Sequence, residues 1–250
     1  MKTLLFVLFA ALTLHAGQIT VAVAANVGYA MDDLKKAFEK EHPDIHVRVI
    51  LGGSGKLTAQ IRRGAPYGLF LAANMGYPEA LRRSGEAISE PVVYARGSLA
   101  LLSKRPRDFS RGIDLLLSPD IRRIAVANPR TAPYGEAAKE ALQNAHLFKK
   151  VASKLVYAES IAQTVAYTLT AADIGIVAAS ALHSRKLSRF EHGRRWIELD
   201  PALYTPIDQG IVLLKPARNR ADYRAFYDFV LGETARDIFK RYGYLLPKAR

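Results

Sequence analysis

The sequence contains no cysteine. Disulfides are excluded, so any exported form of the chain is held by packing alone, and an N-terminal cysteine-linked lipid is excluded as well. No Gly-x-Gly-x-x-Gly or Walker-type Gly-Lys-Ser/Thr is present. The nearest approach, Gly53-Ser54-Gly55-Lys56-Leu57, lacks the hydroxyl residue after Lys56 and the upstream glycine, which argues against nucleotide binding. No Gly-x-Ser-x-Gly elbow surrounds Ser54. His42 and His46 are four apart, but Pro43 interrupts any helix that could aim both at a metal. No tract of five or more basic residues occurs, although the net charge is +13. The basic residues are spread along the chain with acids among them, and no aromatic-rich RNA motif accompanies them. A soluble basic surface with weak long-range attraction for anions accounts for the charge, and a nucleic-acid partner is not expected. The one long apolar run, Leu4 to Leu14, falls short of the roughly 20 residues that span a bilayer.

What is present begins with that run. Lys2, the apolar stretch and the small residues Ala16-Gly17 form the three-part pattern of a secretory signal peptide, residues 1–16, with cleavage after Ala16. Beyond it, strand-like and helix-like segments alternate. Strands are expected over 19–25, 45–51, 69–73, 98–102, 124–127, 155–158, 174–178 and 210–214. Helices are expected over 29–40, 57–63, 135–143, 160–169 and 221–242, the last with Phe226, Phe229, Val230, Ala235, Ile238 and Phe239 on one face. This alternation predicts an α/β fold with parallel strands.

Three loops share one design: Ala25-Asn26-Val27-Gly28, Gly52-Gly53-Ser54-Gly55 and Pro133-Tyr134-Gly135. Each follows a strand, is small or glycine-rich, and opens a helix, and Ser160-Ile161 opens a fourth. Helix N-termini carry unpaired N–H groups and partial positive charge, which suits them to anions. One such loop is a plain connection in most α/β proteins; the interest lies in the set. Asp32, Asp33 and Glu136 fall in first turns and are read as helix starts, not catalysts.

Taken together, VAVAANVGYAMDDLKKAF, GGSGKLTAQIRRGAPYGLFLAAN, IAVANPRTAPYGEAAKEAL, YAESIAQTVAYTLTAADIGIV and AFYDFVLGETARDIFKRYGY resemble the periplasmic molybdate-binding proteins of ABC transporters, which are similar to type II periplasmic binding proteins. The resemblance implies two lobes, each a mixed, mostly parallel sheet flanked by helices. It implies residues 17–95 plus 208–250 in one lobe and 96–207 in the other, with crossings near Tyr94–Gly97 and Tyr204–Ile207 and the ligand between them. It further implies a monomeric periplasmic protein with no enzymatic activity and no cofactor, which carries molybdate or tungstate to a membrane permease. Any molybdenum or tungsten would be held only as the oxyanion. The family's anion-holding positions fall on Asn26 with Ala25 beside it, Ser54, Tyr134, and Ile161 through its backbone. Three positions depart from the family: Asn26 where many members have Ser, Ala178 where many have Tyr, and Gly68 where Asp is frequent. With no phenol at position 178, the hydroxyl of Tyr134 is expected to reach the anion instead. None of the mapped positions is charged. Such a donor-only site favours fully deprotonated anions over phosphate, whose proton needs an acceptor; sulfate, phosphate or a phosphonate is the alternative ligand on the same fold.

Overall fold

The computed structural model describes residues 17–247. The proposed signal segment, 1–16, lies outside the described residues. Among those described, no helix is long and apolar enough to cross a membrane. The chain runs β1 (Gly17–Ala24), α1 (Met31–Glu41), β2 (Ile45–Gly52), α2 (Ser54–Arg62), β3 (Leu69–Leu71), α3 (Gly76–Arg83), β4 (Val92–Gly97), β5 (Leu99–Leu102) and β6 (Ile124–Ala127). It continues with α4 (Pro133–Asn144), α5 (Phe148–Val151), β7 (Leu155–Ala158), α6 (Ile161–Thr170), β8 (Ile174–Ala178), α7 (Ala179–Leu182), β9 (Trp196–Glu198), β10 (Ile207–Leu213), α8 (Ala221–Leu231) and α9 (Glu233–Arg241). The strands form two five-stranded sheets, ordered β2-β1-β3-β10-β4 and β7-β6-β8-β5-β9, and helices flank both.

β1 is paired in parallel by β2 and β3, and β6 by β7 and β8. These are the strand–helix–strand crossovers that the alternation predicts. The remaining pairings, β10 with β3 and β4 and β5 with β8 and β9, are antiparallel. Four of the five strands in each sheet therefore run in one sense, the expected mixed, mostly parallel arrangement, with one reversed strand in each. The cause is topological: β5 and β10 are the strands through which the chain enters one sheet from the other, and they arrive in the opposite sense. The expected C-terminal helix is two helices. Gly232 is extended (φ −79°, ψ 174°) and turns the chain between α8 and α9. Helix α3 and strands β4 and β9 were not foreseen. β9 is three residues long and lies at a sheet edge, too short to show a period.

Each sheet has its own apolar packing. On α1, Met31, Leu34 and Phe38 are spaced along one face and are buried, as an amphipathic helix requires. Phe38 meets Phe226 and Phe229 edge-on, with ring centroids 4.9 and 5.4 Å apart. Fully burying such a side chain is worth about 1.5–3 kcal/mol. Gly68 also finds its physical reason in this lobe. A Cβ there would overlap the ring of Tyr223, whose hydroxyl accepts the Thr20 N–H at 2.9 Å. The ring occupies the volume that any side chain at 68 would need.

The two crossings between sheets lie side by side. Gly97 at the end of β4 is paired with Ile207 at the start of β10. Beside them, Arg96 holds Asp208 through two bonds of 2.6 and 3.2 Å, and the Leu99 N–H donates to the buried Tyr204 hydroxyl at 3.0 Å.

Candidate functional site

Where the parallel strands end, their following loops converge. Ala24, Ala25 and Asn26 leave β1; Gly52, Gly53 and Ser54 lead from β2 into α2; Ala132, Pro133 and Tyr134 open α4; and Ile161 opens α6. Together with Ala73 they line one small cavity between the two sheets. All five residues singled out from the sequence line this one cavity, although they are scattered from position 25 to 161. Local chemistry prepares each loop. Gly53 takes the extended conformation of an N-cap before α2. Pro133 stands in the first turn of α4, where its missing N–H costs no hydrogen bond. Ser160 caps α6 by accepting the Gln163 N–H at 3.3 Å.

The walls offer donors. The Ala25 N–H is already bonded to the Gly52 carbonyl at 2.9 Å, so Ala25 shapes the cavity without donating to it. The N–H groups of Asn26, Ser54, Tyr134 and Ile161 find no acceptor among the described residues. Ser54 Oγ accepts the Ala73 N–H at 3.0 Å, which leaves its own proton to donate. Asn26, Ser54, Tyr134 and Ile161 are between 0 and 4% exposed, so water cannot satisfy these groups cheaply. None of the lining residues is charged. A set of buried dipoles aimed at one small volume can hold a dehydrated anion without a counter-charge.

Behind the cavity lies a polar cluster that the sequence did not disclose. The Asn26 side-chain amide donates to Gln209 Oε1 at 2.8 Å and to the Tyr244 hydroxyl at 2.9 Å, and lies 3.4 Å from the Tyr134 hydroxyl. Gln209 Nε2 donates to that same Tyr134 hydroxyl at 3.2 Å, and Tyr94 donates to Gln209 Oε1 at 2.9 Å. The Asn26 carbonyl accepts from Tyr244 at 3.0 Å and from Ser180 at 3.3 Å. Burial pushes the phenols of Tyr94, Tyr134 and Tyr244 well up from their ordinary values, so they stay neutral. The Tyr134 phenol is thus met by protein donors, and it crosses so close to Gly97 that any Cβ there would overlap its hydroxyl. Asn26 Oδ1 is the buried side-chain polar atom left without a partner among the described residues. Ala178 is buried at the end of β8 and does not line the cavity. The one sequence signal for this cluster was Gln209 itself, a polar residue directly before the apolar run Gly210-Ile-Val-Leu-Leu.

The mouth of the cleft is different. The Gly55 N–H donates to the Thr131 carbonyl at 3.1 Å across it, and Lys56 Nζ meets Glu159 Oε1 at 2.8 Å with both side chains more than half exposed. A Cβ at Gly55 would stand 2.9 Å from the Thr131 oxygen, so glycine permits the close approach. A larger hollow of about 570 Å³ beside the mouth, bordered by Arg62, Arg63, Tyr77 and Glu136, is open to solvent and carries charged groups of both signs.

Two α/β lobes with a small donor-lined cavity between them define a two-lobed solute-binding protein. From residue 19 to 245 the chain matches the family model of bacterial extracellular solute-binding proteins, and it belongs to that family. It is 35% identical to the molybdate-binding protein ModA of Azotobacter vinelandii, over 92% of this chain and 90% of that protein. To the molybdate-binding protein ModA of Rhodobacter capsulatus it is 34% identical, over 94% of this chain and 91% of that one. The solved structure of the periplasmic molybdate-binding protein of Azotobacter vinelandii superposes with a TM-score of 0.84 at 31% identity, covering 92% of this chain and all of that one.

Proposed function

We propose that this protein captures molybdate or tungstate in the cavity between its lobes and delivers it to the permease of an ABC importer. The observation that carries the reading is the set of free donors: four backbone N–H groups and the Ser54 hydroxyl around a small buried cavity, with no charge of either sign among the lining residues. The naming of two relatives as molybdate-binding proteins supports the choice of ion. In this reading Asn26, Ser54, Tyr134 and Ile161 donate through their backbones and Ser54 also through its hydroxyl, while Ala25 lines the cavity. The Tyr134 phenol, met by two protein donors, is assigned to holding the residue in place. The lobes comprise residues 17–95 plus 208–250 and residues 96–207. The protein is made with a signal peptide cleaved after Ala16, works in the periplasm as a monomer, and needs neither cofactor nor catalytic group.

A thermal-shift titration tests the ligand. A ligand that binds only the folded state at about 1,000 times its dissociation constant adds about 4 kcal/mol. For a chain of this size that raises Tm by roughly 8–16 °C. Molybdate and tungstate should each do so. Phosphate should shift Tm less, because its proton would depend on the single unpartnered side-chain acceptor of the lining residues, Asn26 Oδ1, while the other free groups all donate. A phosphate shift equal to that of molybdate overturns the donor-only site, and a sulfate shift exceeding that of molybdate reassigns the ligand.

A further inference from the structure

We infer that Gln209 is the positioning residue that ties the two halves of the cavity together, an inference that rests on the oxyanion reading above. Gln209 lies on β10, at the return crossing between sheets, and is fully buried. Its side chain faces two cavity residues at once. Oε1 accepts the side-chain amide of Asn26, which follows β1 in the first sheet, at 2.8 Å. Nε2 donates to the phenol of Tyr134, which opens α4 beside the second sheet, at 3.2 Å. Asn26 and Tyr134 each also present a backbone N–H that has no acceptor among the described residues. One amide therefore grips the side chains of two residues whose main chains line the cavity from opposite sides.

In the structure Oε1 takes two donors, the Asn26 amide at 2.8 Å and the Tyr94 hydroxyl at 2.9 Å, while Nε2 faces the Tyr134 hydroxyl. With Gln209 so oriented, the Asn26 amide must turn its Nδ2 inward to Gln209 and Tyr244, which leaves its Oδ1 unpartnered. The crossing strands supply the rigid mount. Gly97 on β4 accommodates the Tyr134 hydroxyl where a Cβ would overlap it, and the Arg96–Asp208 pair joins β4 to β10 one residue away. The groups bonded to Gln209 are the amide of Asn26 and the phenols of Tyr94 and Tyr134, with the phenol of Tyr244 bonded in turn to Asn26; the charged groups nearest along its strand are Asp208 and, through it, Arg96. An amide is suited to this place because it is at once donor and acceptor, one function for each side of the cavity.

The test is molybdate titration by calorimetry on the full mature protein. Gln209→Met keeps the length and removes both functions; it should weaken binding by at least about 10-fold, the scale of one lost buried hydrogen bond in affinity. Gln209→Glu supplies the rescue. A carboxyl buried beside an anion has its pKa raised, so at about pH 5.5 it is protonated, donates to Tyr134 and accepts from Asn26 as the amide does. Its affinity there should lie within about threefold of wild type at the same pH, and at about pH 8.5, where it ionises, should fall at least 10-fold below. Tyr134→Phe, which keeps the ring, should weaken binding several-fold, and combining it with Gln209→Met should cost less than the product of the two losses. Gln209→Met within about twofold of wild type, failure of Gln209→Glu to recover at low pH, or multiplicative losses in the double variant each overturn the inference. If neither Gln209 variant folds, Tyr134→Phe decides: binding within about twofold of wild type overturns it. Should wild type itself fail to bind molybdate, it is the proposed ligand that falls, a result distinct from every variant outcome.

Discussion

The floor of the cleft and its mouth are built on opposite plans. At the floor, Asn26, Ser54, Tyr134 and Ile161 are buried, uncharged and rich in unpaired donors. At the mouth, Lys56 and Glu159 form an ion pair of 2.8 Å that stands mostly in water. The difference separates two jobs often assigned to charge. A charge at the floor would need desolvation and would bind its own counter-ion in the empty protein. Neutral dipoles avoid both, yet in a dry cavity they interact strongly with a dianion. An exposed pair at the mouth contributes at most about 1 kcal/mol, enough to favour contact between the lobes without locking them. The net charge of +13 belongs with the mouth and the outer surface: it can bias the approach of anions, but it is not what holds one.

This contrast can be broken by experiment. The largest effect should come from Ser54→Asp, which places a carboxylate against the bound anion; molybdate affinity should fall by more than about 1,000-fold in calorimetric titration, since the change removes a donor and adds like-charge repulsion. Ser54→Ala removes only the hydroxyl. At about 1.5–3 kcal/mol for a hydrogen bond to a charged group, it should weaken binding roughly 10- to 150-fold. Gly68→Asp serves as the control far from the cleft. It forces the Tyr223 ring aside, and overpacking of about 1–3 kcal/mol should lower Tm by several degrees while leaving the affinity of the folded protein within about twofold.

Smaller still is the mouth. Lys56→Gln should change affinity by less than about fivefold, and the change should shrink further in high salt, as screening of an exposed pair demands. A larger, salt-independent loss would place Lys56 with the floor. Least of all should pH matter. The titratable groups behind the cavity are phenols, and burial raises the pKa of each. A raised pKa means that their contribution is fully present below the unfolded value of about 10 and is lost only as pH climbs toward the folded one. Affinity measured between about pH 6 and 9 should therefore stay within about twofold. A titration within that window would show that an ionisable group reaches the site.

Much of this cleft was legible before any coordinates. The loops after β1 and β2 and before α4 and α6 announce themselves by small residues following apolar runs, and the resemblance to molybdate-binding proteins implied Asn26, Ser54, Tyr134 and Ile161 within them. What could not be read was the partner of each atom. Ala25 was grouped with Asn26, yet its N–H is spent on Gly52. The Tyr134 hydroxyl was expected at the anion; that it also accepts from Gln209 and Asn26 was not foreseen. Gln209 and Tyr244 are 183 and 218 residues away from Asn26, and no local pattern joins residues so far apart. Gly68 was an unexplained departure until Tyr223, from helix α8, was found lying over it.

The sequence by itself determined the elements and their chemistry: apolar runs that can only be buried strands, glycine and serine where helices begin, and neutral residues where a ligand would sit. Periodicity and turn preference act between neighbours, so they survive in one dimension. The tertiary structure alone decided which way the crossing strands run, which N–H groups are left without acceptors, and which amide orients the cavity. Those depend on the sense in which β5 and β10 enter their sheets, and on contacts between side chains brought together only when the two lobes pack.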